Sequence, residues 1–543
     1  MALDYSREVM KHFSNPQNLG EMKDADGIGK VGNMTCLVPG QKIHSNYSLI
    51  EIEKLNAGNS VLNHEGNHDK ISSNHSREYN GNVLELKNNL GKIKLTPEHL
   101  IFAIKTPKGQ KFLRNKWRRG LIPSWYHAAD LNKRDLVLYP VQKEVKDVET
   151  IDINIPKLKY DFRSKNIPKK VPMNGDFLRL AGYYLSEGHA SLRITNVCLG
   201  FSFHIDQKEY AEDIKKIAKK LFNLDVIFRE NIPHKTLMVY LHSAPLTRFF
   251  KDLFEKGAEN KRIPDSMMLL PPEKQKELIK GLWRGDGYVN VKRAGPRAGY
   301  VTISPVLIQQ IKTLLLRQGI VPSMYEEAEK VIRGVKHRKS FRIHVGQRES
   351  LVKLCKIFDM AYAPKSYQSI DSWFSNDHLY TPITGINKID YAGKVYNLEV
   401  ENSHSFTSEA FTIHNCGDIM WFYIKVGKKK VGGKEVEFIK DIKFKTLGCA
   451  AAIATTSMMT VLAKGKTLGE AMKLTNSDVV RGLGGLPPVK HHCSLLAEEG
   501  LGEALYHYFK NHGRKIPRSL EVKHRRAELS KKAFEGKHGC SDH

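Results

Sequence analysis

FTIHNCGDIM, residues 411–420, decides how the rest of the chain is read. An apolar, β-prone run ends in His414, Asn415 and Cys416, and Gly417 and Asp418 follow at once. Asn ahead of Cys is chemically awkward, because the side-chain amide of Asn415 can attack its own backbone carbonyl. A second cysteine, Cys36, opens the stretch CLVPGQKI far upstream. A Cys thiol can attack the carbonyl that precedes it and turn an amide into a thioester. A second thiol can capture the acyl group, and an Asn can then cyclise and cut the chain behind itself. Each step needs a nucleophile in near-attack geometry and a proton carrier, usually His. Cys36, His414, Asn415 and Cys416 supply every part.

The 543 residues are enough for several cores, at roughly 100–200 residues per domain. With 41% hydrophobic and 27% charged residues, the composition is that of a globular protein. No apolar run approaches the ~20 residues that span a bilayer. The start, MALDYSREVMKHF, carries Asp4 and Glu8 and no apolar signal-like core, so a cytoplasmic location is expected. Seven scattered cysteines argue against a disulfide framework and for thiols with chemical or metal roles. The net charge is +28, of which residues 36–415 hold +19, from 59 Lys and Arg against 40 Asp and Glu. A polyanion such as DNA is a natural partner for that middle segment.

The chain changes character several times. An amphipathic helix, YSREVMKHFSNP, and a Gly-rich stretch fill residues 1–35. From Cys36 to about 145, short alternating segments separated by turn residues predict strands. Residues 165–365 read as an α/β unit with an internal repeat, because DFLRLAGYYLSEGHA (176–190) and KELIKGLWRGDGYVN (276–290) share one pattern. Short strands return over 375–415, and 416–543 is α/β again, with a basic, polar tail from 511 expected to be partly flexible. The order predicts one domain nested in a second, and both nested in a third.

Residues 36–415 resemble an intein. CLVPGQKI resembles the N-terminal splicing motif, LTPEHLIF carries a Thr-x-x-His motif as Thr96 and His99, and VYNLEVENSHSFTSEAFTIHNC resembles the C-terminal motifs. The resemblance implies an all-β Hint domain and a set of roles. Cys36 would make the N–S acyl shift at the Thr35–Cys36 bond, with Thr96 and His99 straining or protonating that amide. Cys416 would take the acyl group, and Asn415 would cyclise with His404 and His414 managing protons.

LAGYYLSEG (180–188) and IKGLWRGDG (279–287) resemble the two copies of a LAGLIDADG motif. Ala181, Gly182 and Gly281 would let two helices pack backbone to backbone, so that Glu187 and Asp286 meet near a pseudo-twofold axis. Paired carboxylates there can bind a divalent metal such as Mg²⁺ and activate water against a DNA duplex. Lys261 matches a basic residue of that family and is a candidate catalytic helper. Glu187 stands where the family name has Asp.

Across the gap the host reads GKVGNMT-CGDIMWFYIKV, with Cys416, Cys449 and Cys493 at the ends of elements and Asp418 and His492 beside two of them. Three thiols with a carboxylate or imidazole nearby suit a soft metal, iron–sulfur or zinc. The joined host resembles the iron–sulfur cluster assembly scaffolds of the IscU/NifU amino-terminal family. That resemblance implies a labile [2Fe–2S] cluster held by Cys416, Asp418, Cys449, His492 and Cys493. It also implies sulfur from a cysteine desulfurase, transfer to acceptor apo-proteins, and an Hsp70-type chaperone reading the loop from Leu486 to Lys490. Cys198 and Cys355 read as buried core residues.

The expected architecture is therefore multidomain. An α+β scaffold is split by an all-β Hint domain, which itself carries an inserted α/β endonuclease with two pseudo-symmetric repeats. With residues 36–415 interposed before Cys416, full scaffold function is expected to wait for their removal. Two rival readings are a non-splicing DNA-binding or nuclease protein fused to a zinc-binding domain, and a metabolic metalloenzyme. The Asn415–Cys416 pair speaks against the first. The second lacks a P-loop or dinucleotide fingerprint.

Overall fold

The computed structural model describes the chain except residues 1–4, 33–34, 107–121, 156–157, 159–164, 166, 194–195, 292–294, 333, 365–371, 415–417, 432–433, 488–489 and 533–543. Asn415 and Cys416 therefore lie outside the described residues, as does the side chain of His492.

Both ends of the chain share one core. The strand Gly27–Gly32 pairs antiparallel with the start of Ile419–Val431, which continues as a long hairpin into Lys434–Leu447. The opening helix Arg7–Ser14 is held by its Ser6 cap and packs on the helix Ala450–Ala463. Between those two helices His12 Nδ1 meets Ser457 Oγ at 2.8 Å in the interior. Val9 and Val31 from the first part lie in the same apolar cluster as Met420, Phe422, Ala451 and Leu505 from the last. Within the basic tail, residues 518–532 form a helix against His491–Asn511. Leu520 is fully buried, and His524 Nδ1 lies 2.8 Å from Glu503 Oε1. One apolar anchor in a basic, polar stretch is a weak signal for a helix.

Residues 36–105, 124–140 and 373–414 form two antiparallel sheets around a second core. Its spine is a pair of long strands, His68–Asn88 and Gly385–Val400, in register from Lys87 opposite Gly385 to Ile71 opposite Val400, with one shift at Glu399/Val400. Leu37 bridges Leu95 on one side and Tyr396 on the other, which ties residues near Cys36 to both halves of this unit.

Inside it sits an α/β unit with its own core. The helices Gly175–Glu187 and Pro272–Asp286 cross in contact at their glycines. A Cβ on Gly182 would stand 2.4 Å from the Leu278 carbonyl oxygen, and one on Gly281 would stand 2.2 Å from that of Arg179. Each helix runs into a four-stranded antiparallel sheet, one formed by 188–241 and the other by 287–345. The helix Pro305–Arg317 joins this unit to the β unit. Leu316 enters the β core, and Lys312, fully buried, donates to the Glu409 carbonyl at 2.5 Å.

Candidate functional sites

The first site lies around Cys36. Its backbone N–H, the nitrogen of the Thr35–Cys36 peptide bond, donates to Thr96 Oγ1 at 3.1 Å, and Thr96 N–H returns a bond to the Cys36 carbonyl at 2.9 Å. A turn then brings His99 N–H to the Thr96 carbonyl at 3.1 Å. Burial drives the His99 imidazole down to about 3, with His127 adding to the effect, so the ring is neutral at working pH. Neither ring nitrogen of His99 has a hydrogen-bond partner among the described residues. His414 pairs with Leu100, the residue after His99, so the sheet brings His414 alongside the Thr96–His99 turn. His414 also packs edge-on against the Trp125 ring, with centroids 4.9 Å apart. His404 occupies a left-handed turn (φ 49°) and lies 3.4 Å from Glu399 Oε1, one residue before Ser405, which pairs with His414.

Two charged residues complete this pocket. The Cys36 thiol is pushed up to about 11 by burial, and the Arg77 guanidinium opposes that shift. Glu98 is buried and raised to about 7 by desolvation, with Arg77 Nη2 3.9 Å from Oε1. Glu98 stands inside the quoted LTPEHLIF, where its position between Thr96 and His99 could have flagged it. Arg77 lies in the middle of a long strand with no local signal.

The second site is the acid pair at the C-terminal ends of the two crossing helices. Burial, then the charge of Asp286, raises Glu187 to about 7. Desolvation raises Asp286 to about 6. Asp286 is nevertheless open to solvent on one side, and water there softens that shift. Lys261 is buried, and its ammonium donates to the carbonyls of Tyr184, Ser186 and Gly188 at 2.8, 3.2 and 2.8 Å. The ammonium caps the first acid helix with all three of its protons, and desolvation brings it down to about 8. Tyr300, buried between the helix and sheet, feels both acids, and its hydroxyl has no hydrogen-bond partner among the described residues. Exposed Arg229, Arg297, Lys336, Arg338 and Lys339 lie on or next to strands of the two sheets and of the short hairpin beside them.

The third site joins Asp418, Cys449 and Cys493, whose ligand atoms all lie within 4.8 Å of one another. Cys449 Sγ and Cys493 Sγ are 3.9 Å apart, Cys493 Sγ donates to Asp418 Oδ2 at 3.0 Å, and Cys449 N–H donates to Asp418 Oδ1 at 3.2 Å. Two sulfurs at about 2.3 Å from one tetrahedral ion stand about 3.8 Å apart, so the separation suits a soft metal. Gly448 permits the approach of Asp418, since a Cβ there would stand 2.3 Å from Oδ1. Cys449 stands at the N-cap position of Ala450–Ala463. The hydrogen-bond contact between the two sulfurs holds the Cys449 thiol low and the Cys493 thiol high, and burial adds to the rise of Cys493. Lys490, almost wholly buried, and Tyr5, raised to about 12 by desolvation, border the site. The proximity of Tyr5 has no local signal in the sequence.

These three sites describe a split domain with a candidate soft-metal cluster, interrupted by a unit that carries paired acids. A family model described as the NifU-like N-terminal domain matches residues 4–44 and 394–515, and one described as a LAGLIDADG-like domain matches 273–358. Over 99 residues the chain is 52% identical to the iron–sulfur cluster assembly scaffold protein IscU 1 of Archaeoglobus fulgidus, covering 18% of this chain and 60% of that one. It is 25% identical over 424 residues to an iron–sulfur cluster assembly SufBD family protein of Mycobacterium tuberculosis, covering 74% of this chain and 46% of that one. It is 24% identical over 429 residues to an ATP-dependent DNA helicase of Thermococcus kodakarensis, covering 73% and 37%. The chain spans about half the length, or less, of the longer curated relatives it matches. The chain carries a NifU-like scaffold domain at its two ends with a LAGLIDADG-like domain inserted between them. Among the described residues no helix is long and apolar enough to cross a membrane.

The acid pair has a measurable pH signature. Both carboxyls hold protons more tightly folded, at about 7 and 6, than unfolded, at about 4.3 and 3.9. Their contribution to stability is therefore present below about pH 4 and lost as pH rises through about 6–7. With chelator present, the urea-midpoint advantage of wild type over Glu187→Gln/Asp286→Asn is expected to shrink from about pH 4.5 to 7.5. A difference flat across that range would contradict the raised values.

Proposed function

We propose that this chain is the precursor of an iron–sulfur cluster assembly scaffold, interrupted by a self-splicing intein that carries a DNA endonuclease. The observation that carries the splicing reading is the contact of Thr96 Oγ1 with the amide N–H of Cys36, at the bond that would rearrange. The relatives support it too. Matches of 424 and 429 residues cannot fit within 1–35 and 416–543 together, so most of each falls within 36–415. The same kind of segment thus recurs in proteins named for cluster assembly and for DNA unwinding, which is the distribution of a mobile insertion.

In this reading the Cys36 thiol adds to the Thr35 carbonyl, and the Thr35–Cys36 amide becomes a thioester as its nitrogen gains a proton. Thr96 fixes that nitrogen, and neutral His99 can carry the proton. Arg77 favours the thiolate that burial opposes. The Cys416 thiol takes the acyl group, Asn415 cyclises and cuts the chain behind itself, and an S–N shift leaves an amide between Thr35 and Cys416. His404 and His414 would move protons at that end. The joined scaffold would bind iron and assemble a labile [2Fe–2S] cluster as its cargo on Cys416, Asp418, Cys449, His492 and Cys493, with zinc as a substitute. Cysteine desulfurase, an Hsp70-type chaperone at 486–490 and acceptor apo-proteins would be its partners. Mg²⁺ held by Glu187 and Asp286 would supply Lewis-acid chemistry on duplex DNA, with Lys261 holding the helix end that presents Glu187.

Expression of the wild type is expected to give two products by intact mass, one comprising 36–415 and one joining 1–35 to 416–543. Cys36→Ala plus Asn415→Ala is expected to leave the full-length chain. Full-length wild-type protein under reducing conditions would support a non-splicing nuclease fused to a zinc-binding domain instead. Asp286→Asn is expected to abolish Mg²⁺-dependent cutting of a duplex carrying the uninterrupted scaffold gene. Cutting by the variant at the wild-type rate would remove Asp286 from the active site.

A further inference from the structure

The point at which the host chain is interrupted has a definite place in the host fold. Gly27–Gly32 runs antiparallel to 419–424, with Gly27 opposite Ile424 and Gly32 opposite Ile419. Once 36–415 were removed, Asn33, Met34, Thr35, Cys416, Gly417 and Asp418 would connect Gly32 to Ile419. The interruption therefore falls in the loop of a host β-hairpin, and the strands of that hairpin are already paired with the insertion in place.

The pairing is fixed from several sides. The helix His491–Asn511 lies directly on the first strand, where a Cβ on Gly29 would stand 2.2 Å from the Gly500 carbonyl and 2.4 Å from Ala504 N. Gly32 adopts φ +83°, and a Cβ there would stand 2.0 Å from the Asp418 carbonyl. Val31, opposite Met420, is buried with it in the host core. Lys425 ties the far end to Asp24 and Asp26 at 3.1 and 3.2 Å.

We propose that this host hairpin is a positioning device for splicing: by closing before the reaction, it holds the two junctions together for acyl transfer. The proposal rests on the splicing reading above. Thr35 follows Gly32 by only Asn33 and Met34, and Cys416 precedes Ile419 by only Gly417 and Asp418. At roughly 3.5 Å per residue, neither reacting group can stray more than about 10 Å from the closed end of the hairpin. Such a tether keeps the effective concentration of one junction at the other at millimolar or above. The step it assists is balanced internally. The Cys416 sulfur bonds to the Thr35 carbonyl carbon, the Cys36–acyl bond breaks, and the proton leaving the Cys416 thiol ends on the Cys36 sulfur.

The test compares the wild-type full chain with Gly29→Val, which forces the strand off the helix without touching residues 36–415. Formation of ligated host is expected to slow about tenfold or more, while thiol-induced release of residues 1–35 at Cys36 stays within about twofold. Equal ligation rates would overturn the hairpin's role and leave the splicing reading intact. A wild type that never ligates would overturn both. Because Gly29→Val could also unfold the host, hydrogen exchange on the splicing-blocked Cys36→Ala/Asn415→Ala chain gives a second readout. Amides of 27–32 and 420–424 are expected to be protected, and exchange at free-peptide rates would overturn the proposal.

Discussion

The strand Gly27–Gly32 reaches across the whole of 36–415 to pair with 419–424, and the host depends on that pairing. It supplies the third strand of the host sheet, and it gives the helix His491–Asn511 a glycine-lined surface to lie on. That helix carries Cys493 to within 3.9 Å of Cys449, and the neighbouring strand starts one residue after Asp418. The clustering of Asp418, Cys449 and Cys493 is thus a consequence of the pairing. Closing a very long loop costs only slightly more than closing a shorter one, because the entropy grows with the logarithm of length. A large insertion is tolerated in a hairpin loop for the same reason, provided that its own ends lie close together.

The insertion meets that condition through its own sheets. Leu37 bridges to Leu95 and Tyr396, and His414 pairs with Leu100, so both ends of 36–415 converge near the Thr96–His99 turn. The α/β unit interrupts the β unit at a second place without disturbing this convergence. Its helix Pro305–Arg317 donates Leu316 to the β core, and Lys312 binds the Glu409 carbonyl in the turn before the last β strand. Each unit keeps a core of its own, which is how one domain can sit inside another.

Much of this was legible because the signals were short motifs placed where backbones approach closely. Gly448 beside Cys449, and Gly182 and Gly281 in the crossing helices, stand where a Cβ would collide with a neighbour. Residue type therefore reports geometry at those positions. What stayed hidden were contacts between residues far apart in sequence. Arg77 and Glu98 meet beneath Cys36 only because the sheet folds over, and Tyr5 reaches the Cys449–Cys493 site from the opposite end of the chain. Lys261 was recognisable as a special lysine, but its role as a cap on three carbonyls depends on backbone geometry that no residue pattern encodes. The helix at 518–532 buries one leucine and is otherwise held by polar contacts of Lys523 and His524, too little apolar periodicity to stand out from a basic tail.

The expectation that scaffold function waits for removal of 36–415 meets a structure in which Asp418, Cys449 and Cys493 are already together with the insertion in place. Cobalt titration of the splicing-blocked Cys36→Ala/Asn415→Ala chain tests this most directly, since thiolate-bound Co²⁺ absorbs in the near ultraviolet. Uptake of about one equivalent with thiolate charge-transfer bands is expected, lost in the same chain carrying Cys449→Ala. Failure of the unspliced chain to bind cobalt through thiolates would contradict it.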